Sequence, residues 1–443
     1  MSIPMKRRSL AIAVAGLASA LAVTACSAGS LKSGGDDKNG ATTLSFLVDN
    51  SDSTVKTAQG LADAFHAKNP NITIKLEQRP GGGDGDNLIK TRLSTGDMND
   101  VFMYNSGSLF QAIDPAKNLV PQTSQPWLKD VEPSFQTVVK AGSDIYGAPF
   151  GVAMGGGILY NKAIYSKLGL SVPKTWADYM SNNAKVKAAG IVPVIQTYAD
   201  TWTSQLYVLA DFHNVAAAQA DWATKYTQNQ AHYVDDPALL GFQRLQAVHD
   251  AGYLNKNYGS EKFEQGLKDL ADGKGSSYPM LTFGIGTIQA QSPDKIKDIG
   301  FFPQPGDDAA KNGLTLWLPP GIYIPKTTTG AKLTAAEKFL GFAASKEGCD
   351  AQTKGYPPAG PYVVTGCTLP GDVPDAVKDL SKYAGDSDNV TPALEFLSPI
   401  KGPALEQITV EVGSGLKKAP DGAALYDKDV KKQAQQLGLP GWS

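Results

Sequence analysis

Residues 43–79, TLSFLVDNSDSTVKTAQGLADAFHAKNPNITIKLEQR, change periodicity twice. Leu44 to Val48 is a short, nearly continuous apolar run, the pattern of a strand buried on both faces. Ala58, Leu61, Ala62 and Phe65 then recur at helical spacing until Asn69-Pro70 stops the helix, and Ile72, Ile74 and Leu76 alternate as a second strand. Further along, Gly81-Gly82-Gly83-Asp84-Gly85 reads as a turn and Leu88, Ile89, Arg92 and Leu93 as a short helix ended at Gly96. Asp100 to Tyr104 reads as a third strand. Strand, helix, strand, helix, strand predicts an α/β fold with a parallel sheet covered on both faces.

A second α/β region follows Gly151. Thr175 is placed to cap a helix that carries Trp176 and Tyr179 on its apolar side and finishes at Gly190, before a strand at Ile191 to Ile195. Helical patterns dominate from about Ser204 to Asp272. Apolar and β-branched residues return at Tyr278 to Ile285 and Leu314 to Ile324, Ala335 to Ala344 forms a compact helix, and the segments read as interleaved, not tandem.

The N-terminus has a different composition. Lys6, Arg7 and Arg8 precede an apolar run from Leu10 to Val23, too short for the roughly 20 apolar residues of a membrane span, so residues 1–25 read as a secretory signal. Val23-Thr24-Ala25-Cys26 resembles a bacterial lipobox, which makes Cys26 the expected lipidation site and the mature N-terminus. The export route stays open, since Arg7-Arg8 sits in a poor twin-arginine context. Residues 26–42, rich in Gly, Ser, Asp and Lys, cannot bury enough apolar surface to fold and read as a flexible tether. Removing residues 1–25 takes away three cations and no carboxylate, leaving 38 basic against 43 acidic side chains, a net charge of −5 over 418 residues. Such a chain has no basic field for nucleic acid or anionic lipid, and its expected membrane attachment rests on the lipid alone. In an oxidising compartment the remaining pair, Cys349 and Cys367, is expected to form one disulfide.

The search for catalytic motifs is largely empty. His66, His213, His232 and His249 are scattered, none paired at metal-ligand spacing, so no metal site is expected. There is no nucleophile elbow, Gly273-Lys274-Gly275-Ser276 lacks the P-loop spacing, and Gly81 to Gly85 fails the dinucleotide pattern. No catalytic residue and no cofactor is therefore assigned. In an open α/β sheet the ligand crevice lies at the carboxyl ends of the strands. There the sequence offers Asn50, Ser51 and Asp52 after the first strand and Asn105 and Ser106 after the third, groups suited to a hydroxylated ligand or, equally, to helix caps and turns.

Tyr146-Gly147-Ala148-Pro149-Phe150-Gly151, Gly156-Gly157-Ile158-Leu159-Tyr160-Asn161-Lys162, Pro173-Lys174-Thr175-Trp176 and Ala188-Ala189-Gly190-Ile191-Val192-Pro193 resemble the hallmark run of the family-1 extracellular solute-binding proteins, the carbohydrate-binding lipoproteins of ABC importers. Asp100-Val101-Phe102, Ala336 to Leu340 and Tyr356-Pro357-Pro358 follow in matching order, and the similarity covers about the whole mature chain. The resemblance implies a two-lobed periplasmic-binding-protein-like fold, each lobe a sheet flanked by helices, joined by crossing segments. Carried onto this chain, residues 43–150 with about 318–360 form the N-terminal lobe, and 151–317 with about 361–443 the C-terminal lobe. Crossings fall near Ala148–Gly156, near Leu316–Ile324 and after the Ala335–Ala344 helix. Gly155-Gly156-Gly157 then reads either as a hinge or as a tight packing contact.

A sugar presents apolar C–H faces and a ring of hydroxyls, so its site wants aromatic platforms and convergent hydrogen bonds. Trp202, in a loop after the Ile191–Ile195 strand, and Trp317, in a crossing segment, are the candidate platforms. Trp176 belongs to a helix start, and Trp127, Trp222 and Trp442 are assigned to core or surface. Phe283-Gly284 stands where the family usually has a Gly-Trp, leaving Phe283 as the substitute, and Asp388, Asn389 and Phe396 lie where relatives often contact sugar. The expectation is a monomeric, lipid-anchored protein on the extracytoplasmic face of the bacterial cell membrane. It captures a mono- or oligosaccharide, delivers it to ABC transporter permease subunits, performs no chemistry and binds no nucleic acid. The alternatives are an exported carbohydrate-active enzyme and a binder of a polyol or glycerol phosphodiester. The phosphodiester ranks lower because Arg79 and Arg92 are the only arginines in the first 100 mature residues.

Overall fold

The structure, a computed structural model, describes residues 41–384 and 389–442. The signal segment, Cys26, most of the tether and Asp388 lie outside the described residues.

The chain opens as its periodicity predicts. Strand β1 (Thr42–Asp49), helix α1 (Asp52–Lys68), β2 (Ile72–Arg79), α2 (Gly82–Thr95) and β3 (Val101–Tyr104) follow in order. β1 lies between β2 and β3 and is parallel to both, with Phe46 opposite Leu76 and Val101. Ser51 caps α1 by accepting from the Thr54 amide, and Ala58, Leu61, Ala62 and Phe65 form its buried stripe. One reading is corrected: Gly82 to Gly85 are the first turn of α2, not a free turn. Gly85 packs so closely on the Pro80 carbonyl and the Arg79 guanidinium that a Cβ would collide with both, so this glycine serves packing.

After a short helix α3 (Ser108–Gln111), strand β4 (Gly147–Pro149) ends the first run and β5 (Met154–Asn161) begins the second sheet. Helix α4 (Trp176–Ala188) starts with a capping box between Thr175 and Asp178 and stops before Gly190, whose φ of 77° turns the chain into β6 (Val192–Val194). Helix α5 (Leu239–Asp250) follows. The apolar stretch predicted around 278–285 divides into β7 (Gly275–Leu281) and helix α6 (Gly284–Gln291). Strand β8 (Ile299–Pro303) pairs antiparallel with β5. The stretch 314–324 also divides: Pro319 and Pro320 separate β9 (Leu314–Trp317), in the second sheet, from β10 (Gly321–Tyr323), in the first. Helices α7 (Gly330–Ala343) and α8 (Lys346–Gly355), strand β11 (Val390–Pro392), the short helix α9 (Leu394–Leu397) and helix α10 (Leu405–Gly413) complete the elements used below.

Two sheets result, in the orders β2-β1-β3-β10-β4 and β11-β9-β5-β7-β6, the second with β8 on β5. One core joins residues from Leu44 to Ala153 with Ile322 to Val364 beneath the first sheet, and separate cores surround the second. The fold is thus two α/β lobes. The chain passes between them at 150–153 and 318–320, side by side, with the Phe150 amide donating to Pro320 O at 2.9 Å. The Ala153 amide donates to Pro361 O at 2.7 Å, bringing in a third connection. The glycine run lies inside β5 as close packing: a Cβ on Gly155 would press on Leu314 and Leu380, and one on Gly156 would strike the Trp317 indole. The expected disulfide joins Cys349 to Cys367.

Candidate functional site

The parallel strands β1, β2 and β3 point their carboxyl ends at one edge of the first lobe, and the loops there face the second lobe. Among the sequence candidates on that edge, Asn50 is exposed. Ser51 spends its hydroxyl as the α1 cap and on Asp49 at 2.6 Å, and Asp52 pairs with Lys56 at 2.8 Å. Asn105 is exposed and accepts at its carbonyl from the Tyr323 hydroxyl at 3.2 Å. Ser106 is buried and donates to Pro319 O at 2.9 Å, tying the loop after β3 to a crossing segment. For Ser51, Asp52 and Ser106 the structure shows capping, pairing and tethering roles.

The aromatic candidates gather in two clusters on the second lobe. Trp202, in a 3-10 turn at Thr201–Gln205, lies 5.2 Å from Phe263 and 5.9 Å from Phe283 between ring centroids. Trp317, at the end of β9, is buried and meets Ala210, Ala393 and the half-buried Phe396. Leu281 touches both clusters. A small recess opens beside Trp317 within the second lobe, with Phe212, Tyr426, Glu395 and Lys401 in its walls. Asn389 lies elsewhere: it precedes β11, which runs parallel to β9 with Leu314 opposite Val390, so it sits at the far end of that strand pair from Trp317. Its carbonyl closes on Gly313. Trp176 packs under the Arg244 guanidinium at 5.5 Å, and Trp127, Trp222 and Trp442 are core.

Sequence reading missed the charged residues between the lobes. Arg79, at the end of β2, is buried and donates from Nη1 to Pro80 O at 2.9 Å, while its Nε–H has no partner among the described residues. Asp86 on α2 is half-buried beside Arg79 and Tyr104; burial raises its carboxyl above the usual range against the pull of Lys401, Arg79 and Lys90. Burial, with Asp86 nearby, lifts the Tyr104 phenol well above its ordinary value. Across the cleft, Lys401 is 16% exposed and pairs with Glu395 at 3.3 Å. Burial pulls its pKa down, but Glu395, Asp86 and Glu406 together outweigh that and raise it. Glu406, on α10, accepts from Thr201 Oγ1 at 2.7 Å. No periodicity marks these residues, because the two groups, around Asp86 and around Lys401, lie some three hundred positions apart and meet only through the fold.

The lobes touch at these charges. A Cβ on Gly82 would come within 3.3 Å of the Glu406 carboxylate, and one on Gly107 would run into the Glu395 carbonyl and the Phe396 ring. Their φ angles of 60° and 72° also favour glycine. The arrangement offers aromatic faces, hydrogen-bonding groups of both signs and walls from two lobes, which is chemistry for holding a polar molecule with apolar faces. Among the described residues no group of three His, Cys, Asp or Glu side chains could hold a metal ion, and no helix is long and apolar enough to cross a membrane.

The sequence pattern of the bacterial extracellular solute-binding proteins matches residues 50–348. The multiple sugar-binding protein of Streptococcus mutans is 26% identical over 289 residues, 64% of this chain and 67% of that protein. Two solved structures share the fold. A chitin oligosaccharide binding protein has a TM-score of 0.78 at 20% identity, and the solute-binding protein RafE in complex with raffinose has 0.71 at 22%. Each comparison covers 89% of this chain and 99% of the other.

Proposed function

The chain belongs to the bacterial extracellular solute-binding protein family, and from that premise we propose that it captures a neutral oligosaccharide between its lobes and hands it to an ABC importer permease. The observation that carries this reading is the aromatic pair Trp317 and Phe396, where the second lobe meets Gly107 of the first, beside the paired charges of Glu395 and Lys401. A sugar ring stacks its C–H face on such an aromatic and gives its hydroxyls to both charges. Ligand that touches both lobes only when they are together shifts the equilibrium towards closure. Asp86, Glu395 and Glu406 stand there against Arg79, Lys90 and Lys401, a balanced set that supports an uncharged ligand over a phosphodiester.

The protein performs no chemistry on its ligand and acts as a monomer, held to the extracytoplasmic face of the cell membrane through a lipid on Cys26. The names of the relatives, a multiple sugar-binding protein and binders of raffinose and of chitin oligosaccharide, support the sugar class. The test is calorimetric titration with raffinose and with chitin oligosaccharides, followed by recovery of the ligand. Saturable binding with the sugar recovered intact is expected. Cleaved products, or no binding of any sugar in a di- to tetrasaccharide panel, would overturn the reading.

A further inference from the structure

The second lobe brings two aromatic patches to the lobe junction, and only the Trp317–Phe396 patch has been given a ligand. The other is built on Phe263, which is buried. Trp202 and Phe283 rest on that ring at 5.2 and 5.4 Å between centroids, lie 5.9 Å from each other with 36° between their planes, and are both half-buried. Three rings braced in this way hold two flat faces in place. Contacts with the first lobe bracket them. On one side Thr201 donates to Glu406, whose carboxylate lies 3.3 Å from where a Cβ on Gly82 would stand; a Cβ on Gly81 or Gly83 would meet nothing within 4 Å, so room remains beside that contact. On the other side Gly286 of α6 is closed on by the Tyr356 ring and the Pro357 carbonyl, which follow α8 of the first lobe. Half-buried Leu281 touches both aromatic patches, so they are neighbours along one seam, which reaches Gly107 at Phe396.

We propose that Trp202 and Phe283 form a second sugar subsite beside the Trp317–Phe396 patch, so that the ligand is an oligosaccharide long enough to reach both and Trp202 is the residue that selects for its length. A disaccharide seated at Trp317 and Phe396 leaves the faces of Trp202 and Phe283 in water, whereas a tri- or tetrasaccharide lays a further ring on them. That further contact is intramolecular once the first ring is bound, so it adds affinity without any change at the first patch. A patch that only sealed α6 onto its lobe would be indifferent to the length of the ligand. Length dependence therefore separates a subsite from packing. The proposal rests on the sugar-capture reading and adds the length of the sugar to it.

The test is calorimetric titration of the wild type, Trp202→Leu, Trp202→Phe and Phe283→Leu with two series, melibiose, raffinose and stachyose in one and chitin oligosaccharides of two, three and four units in the other. In the series that binds, wild-type affinity is expected to rise about tenfold or more from disaccharide to tetrasaccharide. Trp202→Leu keeps apolar packing on Phe263 and removes the flat face. It should lose most of that rise while holding the disaccharide affinity within about twofold, and Trp202→Phe, which restores a ring, should recover part of it. Phe283→Leu removes the neighbouring face from a different element and should flatten the series independently should Trp202→Leu fail to fold. Equal wild-type affinity for di- and tetrasaccharide, a rise that survives both leucine variants, or the same loss at every length would overturn the proposal. Those results leave sugar capture standing, whereas binding of no sugar in either series removes both.

Discussion

Beneath the first sheet, Phe46 meets Phe339 and Phe150 with ring centroids 5.5 and 6.2 Å apart, in a continuous cluster of aliphatic and aromatic side chains. The second lobe buries an ion pair. Arg244 of α5 and Asp211 are 4% and 1% exposed, Asn214 and Gln304 donate to the same carboxylate at 2.8 and 3.1 Å, and Trp176 covers the guanidinium. A hydrocarbon core is specified by volume and pattern, whereas a buried ion pair is specified by a few exact partners. The second lobe should therefore be the more fragile to a single polar change. Arg244→Met leaves Asp211 charged and unpaired, with an expected cost of about 3–5 kcal/mol. Chemical denaturation should show the second lobe losing structure first; equal loss in both lobes would break the contrast.

The same contrast governs what could be read in advance. β1, α1, β2 and β3 were legible because their apolar residues repeat at the periods of strand and helix. The second lobe was read only coarsely. Residues 278–285 and 314–324 read only as apolar and β-branched stretches, yet one bends into α6 at Gly284 and the other changes sheets at Pro319-Pro320. Those divisions depend on where the other lobe lies, which local pattern does not encode. The site divides likewise. The aromatic candidates Trp202, Phe283, Trp317 and Phe396 were found by position along the chain and do cluster. Arg79, Asp86, Lys401 and Glu406 were not, since each is an ordinary charged residue until folding brings β2, α2 and the loop before α10 together.

A smaller effect sharpens the comparison from the first lobe's side. Cys349 on α8 is tied to Cys367 across 18 positions. Replacing both with Ser should cost about 3 kcal/mol in the chain-entropy account. The loss should appear in the first lobe, with the Arg244 environment unchanged. A loss shared by both lobes would mean that they unfold as one unit.

The smallest effect lies at the start of α4. The Asp178 amide donates to Thr175 Oγ1 and the Thr175 amide to the Asp178 carboxylate, both at 3.1 Å. Thr175→Ala should cost about 1 kcal/mol. The Thr175 hydroxyl chiefly, with backbone donors, holds the Asp178 carboxyl below its ordinary value. A lowered carboxyl contributes stability above its unfolded value and loses it as the pH falls through the folded one. The difference between wild type and Thr175→Ala should thus narrow in acid, and a difference that is constant with pH would remove the carboxylate from the cap.

The central claim, that the Trp317–Phe396 aromatic patch at the lobe junction holds a sugar, is tested most directly by raffinose titration of wild type against Trp317→Ala. Loss of a buried aromatic platform is expected to weaken binding by about 2 kcal/mol or more, roughly thirtyfold, with the circular dichroism of the fold retained. Raffinose binding of undiminished affinity in Trp317→Ala would contradict it.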